Sequence, residues 1–321
     1  MAQLLQIHDV NKTFKSGSSK VKACQEINLT IGEGEVVGLV GESGSGKSTL
    51  ANLVLGLEKL DSGSIKFMGF ELEELLRDKS KSFRREVQAV FQHPLLSLDS
   101  RKTIAWSIAE PLVINKIGNS TTRRARVLEL LSAVALDESF ATKYPGQLSG
   151  GQLQRVNIAR ALALEPKLII CDEPVSALDV SVQAQIVNLF LDIQKRLGVA
   201  MLFISHDLAV VRHISDRIAV MYAGKIMETG DTDDICESPI HPYTQALLSA
   251  STFSEESDEG REKLKLFRRE EVPQKGCPFS TRCPYAMPLC REEEIKIQSF
   301  TGNRESSCLR AQEIFPDLAK K

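Results

Sequence analysis

Three short apolar runs set the frame of the chain. Val36–Val40 is an unbroken apolar stretch closed by Gly41, and Leu168–Cys171 and Ala200–Ile204 have the same character. Runs of this length without polar alternation predict strands buried on both faces. Helices are expected between them, over about Gly46–Leu57, Leu153–Leu164 and Val180–Leu197. This alternation predicts an α/β fold with a mostly parallel sheet. Ahead of it, Leu5–Val10 and Cys24–Ile31 read as short strands, with Ser16–Lys20 as a loop or hairpin tip. Residues 93–147 read as a mostly helical insertion. Val127, Leu130, Leu131 and Val134 fall on one helix face there, as ordinary core packing requires. Beyond about residue 231 the pattern weakens, and Ser254–Gln274 is so charged that it reads as a solvated linker or exposed helix. No internal repeat is visible.

At 321 residues the chain can hold one large α/β domain and an appendage. Apolar residues make up 42%, enough for a sizeable core, and no stretch approaches the roughly 20 apolar residues that span a bilayer. With 40 basic against 42 acidic residues, the net charge of −2 calls for neither nucleic acid nor an anionic membrane as the main partner. Residues 1–10 lack the basic-then-apolar layout of a signal peptide, so a cytoplasmic location is expected.

Residues 41–49, GESGSGKST, match the phosphate-binding pattern G-x-x-x-x-G-K-[ST] between an apolar strand and a helix. Such a loop wraps phosphates in backbone N–H groups. Gly41, Gly44 and Gly46 supply the backbone angles, and Glu42, Ser43, Ser45 and Thr49 complete the turn. Lys47 is placed to reach the β- and γ-phosphates and Ser48 to ligate Mg²⁺. A dinucleotide loop is disfavoured, because Gly44 and Gly46 are followed by Thr49 where a third glycine is needed. Asp172 and Glu173 close the strand LIICDE. There an aspartate can hold Mg²⁺ and the next carboxylate can polarise a water for in-line attack. A carboxylate pair after a strand is weak evidence alone and gains weight from the phosphate loop ahead of it.

A second anion-binding element follows the first by about a hundred residues. Residues 148–152 read LSGGQ, so Ser149, Gly150, Gly151 and Gln152 open a helix whose N-terminal N–H groups and hydroxyl suit phosphate. With GESGSGKST, LSGGQ, LIICDE, the Ser176–Asp179 run and Ile204–Asp207 in this order and spacing, the chain resembles the ABC ATPase family. The resemblance implies a RecA-like core, an antiparallel β subdomain, and a helical subdomain at about 93–160 that presents LSGGQ. It implies a head-to-tail dimer with ATP between the phosphate loop of one cassette and the LSGGQ of the other. By the same resemblance Gln92 touches Mg²⁺ and faces membrane subunits, His206 lies near the γ-phosphate, Asp179 joins the nucleotide site, and Phe14 stacks on adenine.

The C-terminal part, with HPYTQALLSA at 241–250 and GCPFSTRCPYAMPLC from 276, resembles the peptide/nickel branch of ABC importers. Together with residues 172–190 it looks closest to the second ATPase of oligopeptide and dipeptide systems. The expected layout is a cassette over 1–250 and a small extension over 251–321. Cys277, Cys283, Cys290 and Cys308 are spaced C-x5-C-x6-C-x17-C, which is neither a zinc ribbon nor the common ferredoxin run. Soft thiolates suit zinc or an iron–sulfur cluster, unmetallated thiols are the third reading, and spacing alone does not choose. The resemblance implies a [4Fe–4S] cluster, two transmembrane permease subunits, a second similar ATPase, an extracytoplasmic solute-binding protein, and a peripheral position on the cytoplasmic face of the membrane. The alternatives are a soluble ABC ATPase of translation or DNA repair, an exporter ATPase, or a P-loop kinase. The first usually carries two cassettes or a long coiled-coil insertion, the importer-type tail argues against the second, and LSGGQ argues against the third.

Overall fold

The computed structural model describes residues 3–16, 19–252, 272–273 and 275–316. Its centre is an eight-stranded sheet. Strands β3 (Val36–Val40), β6 (Val87–Phe91), β7 (Leu168–Asp172), β8 (Ala200–Ser205) and β9 (Arg217–Tyr222) are parallel, in the spatial order β9-β3-β8-β7-β6. Beyond β9 the sheet continues antiparallel through β10 (Lys225–Asp231), β12 (Glu305–Ser306) and β11 (Gln298–Ser299). A separate antiparallel sheet joins β2 (Ser19–Gly32), β1 (Gln3–Ser16), β4 (Ser62–Phe67) and β5 (Phe70–Glu71).

Side-chain alternation along the central strands feeds two cores, one on each face of the sheet. Ile169, Cys171, Met201 and Phe203 face the helical side, where Phe190 meets Phe203 edge-on with ring centroids 5.6 Å apart. Leu39, Ile170, Leu202 and Ile204 face the antiparallel sheet and the helix Lys47–Val54. The helix Val180–Leu197 buries Ile186, Leu189, Phe190 and Ile193 along one stripe. Lys195 and Arg196 complement the negative end of its dipole, and Gly198 at φ 61° turns the chain off it.

The insertion is helical as expected, with helices Ile104–Ile114 and Ser120–Ala133 and short 3₁₀ turns. Val127, Leu130, Leu131 and Val134 are all buried. The helix opened by LSGGQ runs Gly150–Leu162, starting a turn earlier than its apolar pattern suggested, because Ser149 caps it through a reciprocal pair with Gln152. The first two strand-like runs belong to fourteen-residue strands that reach Ser16 and restart at Ser19; tip residues 17–18 lie outside the described residues. The charged stretch 254–274 also lies outside them, apart from Val272 and Pro273.

The weak pattern after residue 231 conceals ordered structure. Helices Thr232–Glu237 and Pro242–Thr252 follow β10, and residues 305–306 pair with Thr229 and Glu228. The C-terminal extension therefore widens the central sheet. Among the described residues, no helix is long and apolar enough to cross a membrane.

Candidate nucleotide site

The parallel strands are in register at their carboxyl ends. Phe91 lies beside Asp172, Asp172 beside Ile204, and Val40 beside Ser205. Gln92, Glu173, His206 and the loop starting at Gly41 therefore leave the sheet along one edge. That edge is where an open α/β sheet gathers its ligand-binding loops.

The phosphate loop is held from below by a tight hairpin. Ala223 and Gly224 join β9 to β10 with φ of 46° and 84°, the signs a two-residue type I′ turn needs. Gly224 N–H donates to Ser45 O at 2.8 Å, and Gln25 N–H donates to Gly224 O at 2.8 Å. Gly46 adopts φ 108°, and a Cβ there would lie 2.1 Å from the Ala23 carbonyl oxygen. Gly41 is equally confined, with a Cβ only 2.0 Å from Met221 O. Gly44, by contrast, has open space around it, so its glycine answers only to φ 83°.

Lys47 is 4% exposed. Its Nζ donates to Gly41 O at 2.7 Å and Glu42 O at 3.0 Å, which folds the loop around the ammonium. Burial lowers its pKa, opposed by the carboxylates of Glu173, Asp172 and Glu42. Ser48 Oγ donates to Asp172 Oδ1 at 3.0 Å. Burial raises the Asp172 pKa, with the Ser48 hydrogen bond opposing it and neighbouring Glu173 adding to it. A hydroxyl beside a desolvated carboxylate is an oxygen donor set that suits Mg²⁺.

Glu173 adopts φ 48°, uncommon for a residue with a side chain, and its N–H donates to Ile204 O at 3.0 Å. Its carboxylate lies 3.4 Å from His206 Nδ1. Gln92 is half-buried one residue beyond Phe91. Phe14 is 36% exposed near the end of β1, with Lys12 Nζ 5.0 Å from its ring centroid. Asp179 is exposed at the start of the helix Val180–Leu197.

Residues 149–152 stand at the start of the helix Gly150–Leu162. Ser149 and Gly150 are exposed, and an added Cβ on Gly150 or Gly151 would approach Leu178 at 3.3 Å and Val182 at 2.5 Å. Among the described residues, no hydrogen bond joins 149–152 to the phosphate loop.

The four C-terminal cysteines line one cavity of about 20 Å³ with His241 and Ser280. Burial pushes the Cys277 thiol up to about 12 and the Cys308 thiol up to about 11. His241 is pushed down to about 3 by burial, and its Nδ1 accepts from Tyr243 N–H at 3.0 Å. Its Nε2 and Ser280 Oγ are buried without a hydrogen-bond partner among the described residues. The donor set fits a thiolate-bound group. Yet among the described residues no group of three or more His, Cys, Asp or Glu is gathered closely enough to hold a metal ion.

Comparison with known proteins identifies the cassette. The ABC transporter family matches residues 24–176, and the family described as oligopeptide/dipeptide transporter, C-terminal region, matches 227–290. The oligopeptide transport ATP-binding protein AppF of Bacillus subtilis is 45% identical, over 95% of this chain and 96% of its own length. OppF of Escherichia coli is 43% identical, over 96% and 94%. The chain belongs to the ABC transporter ATP-binding proteins of the oligopeptide/dipeptide type. The solved ATP-binding cassette MJ0796, in a dimeric post-hydrolysis state with ADP and phosphate, superposes with TM-score 0.64 at 34% identity, covering 71% of this chain and 99% of that one. The chain is thus an ABC ATPase.

One contact to the phosphate loop had no sequence signature. Arg282, beside Cys283, reaches Glu42, while Tyr243 receives the Glu42 N–H. The neighbours of Arg282 in the chain, Ser280 and Thr281 before it and Cys283 after it, give no sign of this contact.

Gly46→Ala is expected to lower ATP affinity by about 100-fold or more while the sheet stays folded, because the new methyl meets backbone at a φ that alanine resists. Calorimetric titration with ATP and circular dichroism on the same sample check this; unchanged affinity would refute the packing described for the loop.

Proposed function

We propose that this chain hydrolyses ATP to drive uptake of peptides, or of nickel or a related small solute, through partner permease subunits at the cytoplasmic face of the membrane. The observation that carries the reading is the separation of two phosphate-binding elements on one chain, 41–49 and 149–152, together with an extension of the oligopeptide/dipeptide type. Each element is then half of a site, completed by a second cassette in head-to-tail arrangement. MJ0796, solved as a dimer, supports that arrangement, and the names of AppF and OppF support the cargo.

In this reading the loop N–H groups and Lys47 bind the β- and γ-phosphates, and Phe14 stacks on adenine. Ser48, Asp172 and Gln92 would hold Mg²⁺, whose chemistry is to neutralise phosphate charge in the transition state. Glu173 orients and polarises the attacking water, and His206, 3.4 Å from it, senses the γ-phosphate. Ser149, Gly150, Gly151 and Gln152 of the second cassette cap the γ-phosphate from the other side, and Asp179 lies at the shared interface. Hydrolysis removes the group that both cassettes grip, so the pair reopens. We expect the second cassette to be a similar but non-identical ATPase.

The surface beside Gln92 suits a permease contact. Phe91 and Leu96 are exposed there, Leu96 by 83%, along a groove of about 490 Å³ that also takes in Arg84 and Arg160, and Leu95 is exposed next to them in the chain. Exposed apolar side chains ringed by charge mark protein contacts. A solute-binding protein on the far side of the membrane completes the assembly.

Cys277, Cys283, Cys290 and Cys308 would hold a [4Fe–4S] cluster, which supplies one-electron chemistry or a structural knot. A single zinc draws four sulfurs to about 2.3 Å of one point, whereas a cluster gives each thiolate its own iron. The four cysteines lining one cavity are the observation behind this reading.

Two outcomes test these assignments. Glu173→Gln is expected to keep ATP affinity within about threefold, lose turnover by at least about 100-fold, and abolish uptake of a labelled peptide by the reconstituted complex; uptake that survives would contradict the coupling. Metal and sulfide analysis of anaerobically purified protein is expected to give about four irons per chain with broad visible absorption. Colourless protein with one zinc would replace the cluster assignment and leave the ATPase intact.

A further inference from the structure

We infer that Arg282 is a positioning residue of the nucleotide site, and that through it the cysteine-bearing extension sets the affinity of the phosphate loop for ATP. The guanidinium is almost wholly buried, its side chain 4% exposed. It grips the Glu42 carboxylate with two parallel bonds, Nη2 to Oε1 at 2.8 Å and Nη1 to Oε2 at 3.1 Å. Nη1 also donates to Tyr222 OH at 3.0 Å, and the guanidinium carbon lies 5.4 Å from the ring centroids of both Tyr222 and Phe279. This fork fits a carboxylate in one plane and one orientation, which an ammonium cannot impose.

Glu42 is the second residue of the loop, at a position the glycine-lysine pattern leaves open. It is held at three points: its N–H donates to Tyr243 OH at 3.0 Å, its carbonyl accepts from Lys47 Nζ at 3.0 Å, and its carboxylate lies in the Arg282 fork. Tyr243 belongs to the HPY segment and Arg282 to the cysteine loop, so both outer clamps come from beyond β10. Tyr222, Tyr243 and Phe279 pack mutually at centroid distances of 4.7, 5.7 and 5.3 Å, which joins the two clamps through one aromatic cluster.

Electrostatics gives the pair its purpose. A carboxylate in a loop built to receive phosphates repels its ligand unless a cation neutralises it and turns it aside. Arg282 does both. Without it, the loop would carry an unpaired negative charge on the residue whose carbonyl holds Lys47. Loop amides aimed before the nucleotide arrives bind it more tightly than amides that must be ordered on arrival.

The test is a set of full-length variants titrated calorimetrically with AMPPNP and Mg²⁺. Arg282→Gln is expected to weaken binding by about tenfold, with KM for ATP rising by a similar factor while kcat falls less than about threefold. Adding Glu42→Gln to it removes the stranded charge and is expected to restore affinity to within about threefold of wild type. A merely structural ion pair would show its loss and its rescue in thermal stability and leave the AMPPNP affinity of the folded protein unmoved. Wild-type affinity in Arg282→Gln, or failure of Glu42→Gln to rescue it, would overturn the proposal. Should Arg282→Gln not fold, Arg282→Lys keeps the charge and loses the fork; it is expected to bind about threefold more weakly than wild type, and equal affinity would refute the positioning role.

Discussion

In-register pairing of the parallel strands is the constraint on which the rest depends. Asp172 stands beside both Phe91 and Ile204, and Val40 beside Ser205, so four strands end on one line. Moving β7 by one residue would turn Asp172 toward a core face and send Ile169 and Ile170 to the wrong sides of the sheet. The two cores that sort these side chains therefore also align Gln92, Glu173, His206 and the phosphate loop. Burial and the placement of the candidate site share one register.

Charge at that edge is balanced between groups that could not stand alone. Lys47 is buried among loop carbonyls, which lowers its pKa, and the carboxylates of Glu173, Asp172 and Glu42 oppose that shift. Asp172 is desolvated and takes a hydrogen bond from Ser48. Glu42 is answered by Arg282, which comes from 240 residues away in the chain. The site thus draws on the start of the cassette, its centre and the C-terminal extension, and the extension is bound to the core by strand pairing as well as by this ion pair.

Much of this was legible in the sequence because it is local. A glycine-rich turn after an apolar run, a carboxylate pair ending a strand, and a capped helix at LSGGQ each carry their geometry in adjacent residues. The strand Val87–Phe91 has no clear sequence signature, since Gln88 interrupts its apolar run and it is central only through its neighbour β7. The two-residue strand Glu305–Ser306 has no pattern at all; it forms because β10 offers an unpaired edge. The bond between Arg282 and Glu42 was invisible for the same reason, as nothing beside either residue names the other. The cysteines were legible as a set, and their placement around one cavity answers to the fold beyond β10.

The central claim is that one chain supplies two separate halves of an ATP site. The most direct measurement is ATPase activity per chain as the purified protein is diluted, alone and mixed with a partner cassette. A shared site predicts that activity per chain falls on dilution and is restored by the partner, because 149–152 of one cassette must meet the phosphate loop of another. Activity per chain that stays constant across dilution into the monomeric range would show that a single chain completes the site by itself, and would contradict the account.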